Sequence, residues 1–86
     1  MANTLTYRAG EIIFNEGDAS DMAFVILHGT VEIFQPDKGD GEIIVTHLKE
    51  GQFFGEYGVM DSAPRSASAR ARTDVLLEKK ILEDED

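Results

Sequence analysis

The 86-residue chain has room for one small domain, assigned to residues 1–86, and a chain of this length buries only about 60% of its unfolded surface. Its 42% hydrophobic and 29% charged residues are typical of a globular protein rather than a disordered one. The net charge of −9 argues against direct nucleic acid contact, because affinity for a polyanion comes mainly from Lys and Arg. The absence of cysteine excludes disulfide bonds and thiolate metal sites.

No apolar run reaches the roughly 18 residues that a membrane span needs, and the first residues lack the basic start and apolar centre of a signal peptide. We therefore expect a cytoplasmic protein that makes no membrane contact. The acidity repels an anionic ligand at long range, so such a ligand needs a local, well-organised site. The acidic tail, residues 83–86, is interpreted as a solvated chain end.

Short apolar runs separated by turn-forming residues predict a mainly β chain. The run Glu11–Phe14 ends at residues 15–18, where glycine reaches positive φ without steric cost. Met22–Leu27 is almost wholly apolar and is interrupted at His28–Gly29. The spacing of such runs suits a sandwich or a barrel.

Two further runs form a predicted hairpin. Thr30–Phe34 alternates between apolar and polar residues, residues 35–41 form a polar loop, and Glu42–Leu48 returns as the second strand. The last segment from Val75 has both strand and helix features, and we favour a strand that ends at about Lys80.

The segment of residues 51–67 concentrates the features of an anion site. Its glycines allow close backbone approach, and a single helical turn from Gly55 to Asp61 would direct free N–H groups at an anion. Arg65, which follows Pro64, offers a planar set of donors that matches two phosphate oxygens. These features predict that the segment binds one phosphate group.

Glu56 would repel a phosphate, but it fits a site in which its carboxylate accepts hydrogen bonds from a neighbouring ribose hydroxyl. Glu56 and Arg65 together therefore predict a ribose next to a phosphate. The Ser66 hydroxyl adds a polar group, and the rest of the pocket would be apolar. The candidates for the apolar wall are Val31, Ile33, Val45, Leu48 and Tyr57.

Residues 54–67 resemble the phosphate-binding cassette of the cyclic-nucleotide-binding domain family, whose pattern is Phe-Gly-Glu, a short helix, then Pro-Arg and small residues. The resemblance covers roughly Tyr7 to Lys80. Upstream segments also match the family's usual glycines and strands, and these are Gly10–Phe14, Glu16–Asp18, His28–Val31 and Leu48–Gly51. The resemblance implies an eight-stranded antiparallel β-roll, a jelly-roll arrangement, that binds cAMP or cGMP without catalysis and without a metal.

By the same resemblance, Glu56 accepts the ribose 2′-hydroxyl, Arg65 holds the cyclic phosphate, and Gly55 with its neighbouring amides completes the site. The hydroxyl of Ser66 would bond the phosphate or the exocyclic amine of a syn guanine, so cAMP and cGMP both stay open. The predicted ligand-binding residues are Phe54, Gly55, Glu56, Tyr57, Gly58, Pro64, Arg65, Ser66, Ala67, Val45 and Leu48.

The family's domains usually continue into C-terminal helices, one of which covers the base, whereas this sequence ends at Asp86. We therefore expect the lid to be missing and an output to require an effector domain or protein, and an uncovered sheet would favour a homodimer. The alternative function is a structural or protein-interaction β-roll that binds no nucleotide.

Each singled-out residue also has an ordinary interpretation. Arg65 would otherwise form a surface ion pair, Glu56 would be a solvated charge, and Ser66 would be a plain strand residue. Phe53, like Tyr57, is expected in the core rather than stacked on a base. The histidines His28 and His47 lie in separate strands without a His-x-His arrangement, so we expect no metal site.

Overall fold

The computed structural model describes residues 3–19, 22–37, 39, 41–55 and 64–80. Within these residues the chain forms eight β-strands and no helix, and hence no helix that could cross a membrane. The mainly β prediction is confirmed. The strands are β1 (Thr4–Tyr7), β2 (Ile12–Phe14), β3 (Ala23–His28), β4 (Val31–Pro36), β5 (Glu42–Leu48), β6 (Phe53–Phe54), β7 (Ser68–Ala71) and β8 (Val75–Lys80).

The strands form two four-stranded sheets, with strand orders β1-β8-β3-β6 and β2-β7-β4-β5. Every pairing between these strands is antiparallel. Strands that follow one another in the chain often lie in different sheets, so the chain winds back and forth between the sheets. This topology is the predicted eight-stranded antiparallel β-roll.

The core lies between the two sheets and takes side chains from both. Ile26 of β3 and Leu77 of β8 belong to one sheet and Val31 of β4 to the other, and all three side chains are fully buried. Along β8, buried residues alternate with partly exposed ones, as expected for a strand with one face on a core. The buried cluster consists of Phe24, Ile26, Val31, Phe54, Ala69, Ala71, Val75 and Leu77.

Strands β1, β6 and β7 were not predicted from the sequence pattern. The β7 sequence, Ser-Ala-Arg-Ala, contains no β-branched or aromatic residue. It forms a strand because it lies between β2 and β4, with Ala69 and Ala71 wholly buried against the core. Tertiary packing here outweighs the weak local preference.

The predicted β4–β5 hairpin is confirmed, and it is longer than expected. Its register extends from Val31 opposite Leu48 to Pro36 opposite Glu42, with an irregularity between Ile33 and Phe34. Asp37 N donates to Gly41 O at 2.9 Å, which closes the loop. In this sheet β5 pairs only with β4 among the described strands, so it is an edge strand.

An ion network joins the three strands β4, β5 and β7. Arg70 Nη2 lies 2.8 Å from Glu32 Oε2 and 2.9 Å from Glu42 Oε1. The other carboxylate oxygen, Glu32 Oε1, lies 3.6 Å from Arg72 Nη1 and 3.8 Å from His47 Nε2. The hydrogen bond from Arg70 lowers the pKa of Glu32, against the opposing effect of burial, and the pKa of Glu42 is lowered mainly by the same partner. We call these five residues the Glu32 network.

The turn between β3 and β4 requires a glycine at position 29. Its φ is 96°, in the left-handed region, and a Cβ there would collide with the carbonyl oxygen of Asp74 and lie 2.7 Å from Cγ1 of Val75. The backbone of the β7–β8 turn can approach the β3–β4 turn this closely only because no side chain intervenes.

We expect Gly29→Ala to lower the free energy of unfolding by more than the roughly 1–2 kcal/mol that left-handed backbone costs another residue. Gly17→Ala is the matched control, because Gly17 has a φ of 92° and a Cβ added to it would have no atom within 4 Å beyond its own residue and its two chain neighbours. Urea unfolding of both variants measures the difference. Equal losses would show that the close approach to Asp74 contributes nothing.

We expect Glu32→Gln to be less stable than the wild type at pH 7, with the difference shrinking as the pH falls below 4.5, the ordinary pKa of a glutamate. A carboxyl group whose pKa is lower in the folded protein than in the unfolded chain adds stability. This stability is fully present above the pKa of the unfolded chain and is lost as the pH falls through the pKa of the folded protein. Urea unfolding between pH 7 and pH 3 tests this.

The control for Glu32→Gln is Glu78→Gln, because Glu78 forms a 3.6 Å ion pair with Lys80 in which both side chains are substantially exposed. Exposed ion pairs contribute little to stability, so the stability of Glu78→Gln should follow that of the wild type at every pH. A Glu32→Gln difference that is independent of pH would contradict the ionic role of Glu32.

Candidate functional site

A cleft of about 420 Å³ lies beside the hairpin and is bordered by β4, β5, β6 and the segment that precedes β7. Its size is within the usual range for small-molecule sites. It brings together seven of the predicted site residues, and these are Val45, Leu48, Phe54, Gly55, Arg65, Ser66 and Ala67. Ile33, a predicted residue of the apolar wall, also lines it, and the other described lining residues are Phe14, Gln35, Thr46 and Phe53.

Arg65 places a positive charge at the border of this cleft, and its side chain is buried. Nη1 donates to Gly55 O at 2.5 Å and Nη2 donates to Met22 O at 2.7 Å. The guanidinium carbon lies 4.1 Å from the centroid of the Phe14 ring, within the range of a cation–π contact. With a relative exposure of 6%, Arg65 is not the surface residue of the ordinary interpretation.

The backbone of Arg65 is hydrogen-bonded at both its N–H and its carbonyl group. Arg65 N donates to Asp18 O, and Gly17 N donates to Arg65 O, both at 2.8 Å. This reciprocal pair joins the segment before β7 to the turn between β2 and β3. The position of the charge is therefore set by backbone bonds as well as by the guanidinium contacts.

Gly55 directly follows β6 at the cleft, and its φ is 84°. A Cβ at this position would lie 2.9 Å from Nη1 of Arg65. Any larger residue would displace the guanidinium or distort the backbone. Glycine here allows the Gly55 carbonyl to accept the bond from Arg65, so the two predicted residues are structurally coupled.

The apolar walls differ from the prediction at two residues. Phe53 was expected in the core, but 47% of it is exposed and it lines the cleft, so that expectation was wrong. Val31 was expected to line the pocket, but it is fully buried in the core. Val31 is the first residue of β4, where it pairs with Ala71 of β7 and Leu48 of β5 and packs in the buried cluster between the sheets. Val45 of β5, 54% exposed, forms the outer wall.

Some predicted site residues are not part of the described cleft. Pro64 is exposed and does not line it. Glu56, Tyr57 and Gly58, and with them the predicted helical turn to Asp61, lie outside the described residues. Their assigned roles stay predictions.

Besides Phe53, sequence reasoning missed three lining residues of the described cleft, Phe14, Gln35 and Thr46. Phe14 was assigned to a strand, but its contact with Arg65 joins residues far apart in the sequence and is set by the three-dimensional fold. Gln35 was placed in the hairpin loop, whereas β4 continues to Pro36. A polar residue just beyond an alternating apolar run was the available signal for Gln35.

The two histidines lie apart from the cleft. His28 Nδ1 is 3.3 Å from Glu50 Oε2 with both side chains exposed, and His47 belongs to the Glu32 network. In the described part of the chain, no three His, Asp or Glu residues come together as metal ligands would.

Comparison with known proteins finds the same kind of domain. The family model described as "Cyclic nucleotide-binding domain" matches residues 4–78. A cAMP-dependent protein kinase regulatory subunit of Dictyostelium discoideum is 39% identical over 71 residues, which are 83% of this chain and 22% of that protein. The chain spans about a fifth of the length of such curated relatives.

Two solved structures share the fold over nearly all of the chain. The cAMP-bound form of an EAL enzyme has a TM-score of 0.86 and 41% identity, and covers 91% of this chain and 21% of that one. The catabolite activator protein of Thermus thermophilus has a TM-score of 0.86 and 31% identity, covering 93% of this chain and 38% of that one.

Arg65→Ala is expected to lower the free energy of unfolding by about 2 kcal/mol or more even without ligand, because it leaves the carbonyls of Gly55 and Met22 without these donors. The control is Arg72→Ala, which removes an arginine that is 60% exposed and 3.6 Å from its acidic partner. That variant should lose less than about 1 kcal/mol. Equal small losses in urea unfolding would contradict the structural role of Arg65.

Proposed function

Because the chain belongs to the cyclic nucleotide-binding domain family, we propose that it binds cAMP or cGMP in the cleft beside Arg65 and acts as a non-catalytic sensor domain. The observation that carries the proposal is the placement of a buried arginine at the border of an otherwise largely apolar cleft. A buried, well-fixed cation is the local anion site that a chain with a net charge of −9 requires.

The chemistry of the cleft suits the three parts of a cyclic nucleotide. The phosphate lies toward the guanidinium of Arg65, which offers donors in a geometry that matches phosphate oxygens. The purine packs on the apolar side, against Val45, Leu48 and Phe53. Glu56 is assigned to the ribose 2′-hydroxyl on the basis of the sequence.

The relatives support the ligand class, since the same EAL enzyme has been solved in a cAMP-bound and a cGMP-bound form. The matched proteins include a kinase regulatory subunit and a catabolite activator protein, so similar domains occur in proteins with different names and lengths. We propose that the output of this chain depends on an effector domain or partner protein, in the cytoplasm.

A second candidate function is a structural β-roll that binds no nucleotide. The observation that favours it is that Arg65 already bonds two backbone carbonyls and stacks on Phe14. These contacts give the arginine a role in the fold without any ligand. Ligand-dependent stability distinguishes the two functions.

We expect cAMP or cGMP at millimolar concentration to raise the midpoint of thermal unfolding, because a ligand that binds only the folded state stabilises it by about 2.7 kcal/mol at 100 times its Kd. For a domain of this size, each 1 kcal/mol corresponds to about 4–8 °C. The control ligand is 5′-AMP, which has the same base and sugar but no cyclic phosphate, and should give little shift.

The variant that tests the role of Arg65 is Arg65→Ala, studied by calorimetric titration at a temperature where it is folded. Loss of a charge-assisted contact of about 1.5–3 kcal/mol should weaken nucleotide binding roughly ten- to a hundredfold, whereas Arg72→Ala should bind as the wild type does. The absence of a thermal shift with either cyclic nucleotide would favour the structural β-roll.

A further inference from the structure

Gln35 is a polar residue near the end of β4, and its side chain lines the cleft. Its Nε2 donates to the carbonyl oxygen of Ser66 at 2.9 Å. Ser66 directly follows Arg65, so this bond connects the hairpin to the segment that carries the charge of the cleft.

The β4–β7 register explains why a side chain makes this connection. The two strands pair from Val31 opposite Ala71 to Phe34 opposite Ser68. Continued by two residues, the same register places Pro36 opposite Ser66. Proline has no N–H to donate, and the amide of the neighbouring Gln35 supplies the donor for the Ser66 carbonyl.

This bond fixes the orientation of the Gln35 amide. A carbonyl oxygen only accepts hydrogen bonds, so the nitrogen of the amide must face Ser66. The amide oxygen, Oε1, then points away from that carbonyl and is an acceptor. The hydroxyl oxygen of Thr46, which also lines the cleft, lies 3.5 Å from the carbonyl oxygen of His47, a distance too long to fix the direction in which the hydroxyl donates.

The two purines differ in the groups that would meet such an acceptor at positions 1 and 2 of the base. Guanine has two adjacent donors there, the N1–H and the 2-amine, whereas adenine has an acceptor at N1, no donor at C2 and its one amine at C6. An acceptor oxygen that faces the N1–C2 edge of the base therefore matches guanine better. Accepting groups would also face the N1 lone pair of adenine without a hydrogen between them.

We propose that Gln35 makes this cleft prefer cGMP to cAMP, an inference that rests on the proposed nucleotide binding. Gln35 acts as a specificity-determining residue by presenting its Oε1 to the base while its nitrogen is held by Ser66. A single neutral hydrogen bond of this kind accounts for a preference of about three- to tenfold.

The test is calorimetric titration of the wild type and of Gln35→Leu with cAMP and cGMP. We expect Gln35→Leu to bind cGMP about three- to tenfold more weakly and cAMP within about twofold of the wild type. The matched control is Gln52→Leu, because Gln52 also bonds a backbone group, Lys49 N at 2.8 Å, but does not line the cleft. It should leave both affinities unchanged.

A modified ligand tests the same base contact on the wild type, so no variant has to fold. Cyclic inosine monophosphate keeps the N1–H of guanine but lacks its 2-amine, and it should bind the wild type about threefold more weakly than cGMP does. Equal weakening of both nucleotides in Gln35→Leu, or a wild type that prefers cAMP, would overturn the role of Gln35 alone. Binding of no cyclic nucleotide by the wild type would overturn the proposed function itself.

Discussion

The contacts of Arg65 connect the parts of the chain that form the cleft. Its guanidinium bonds Met22 O, just before β3, and Gly55 O, just after β6, and it stacks on Phe14 of β2. Strands β3 and β6 belong to one sheet and β2 to the other. One side chain therefore joins both sheets and brings a positive charge to the cleft. The absence of a side chain at Gly55 is what leaves space for it.

This arrangement gives an acidic protein a positive site at a defined place. The Glu32 network pairs Arg70 and, at a longer distance, Arg72 with carboxylates of β4 and β5. Arg65 instead stacks on the ring of Phe14 and donates to the carbonyls of Gly55 and Met22, at the border of the cleft.

The parts of the fold that the sequence predicted are those with strong local signals. The β4–β5 hairpin follows from alternating runs around a glycine-rich loop, and the position of Arg65 and Gly55 follows from a spaced motif. What could not be predicted depends on long-range packing. β7 is a strand because of its neighbours, and Phe53 is exposed because β6 is a two-residue strand at a sheet edge. The role of Gln35 depends on a register that only the paired strands define.

Strand β5 has a consequence for how the protein behaves in concentrated solution. It is an edge strand of seven residues in which Ile43, Ile44 and Val45 are 52%, 43% and 54% exposed. An apolar edge with unpaired backbone groups is a template for strand addition between molecules, and hence for aggregation. The charged residues at its ends, Glu42 and Lys49, act as gatekeepers that oppose such stacking. The same exposed strand that borders the cleft therefore also limits the colloidal stability of the chain.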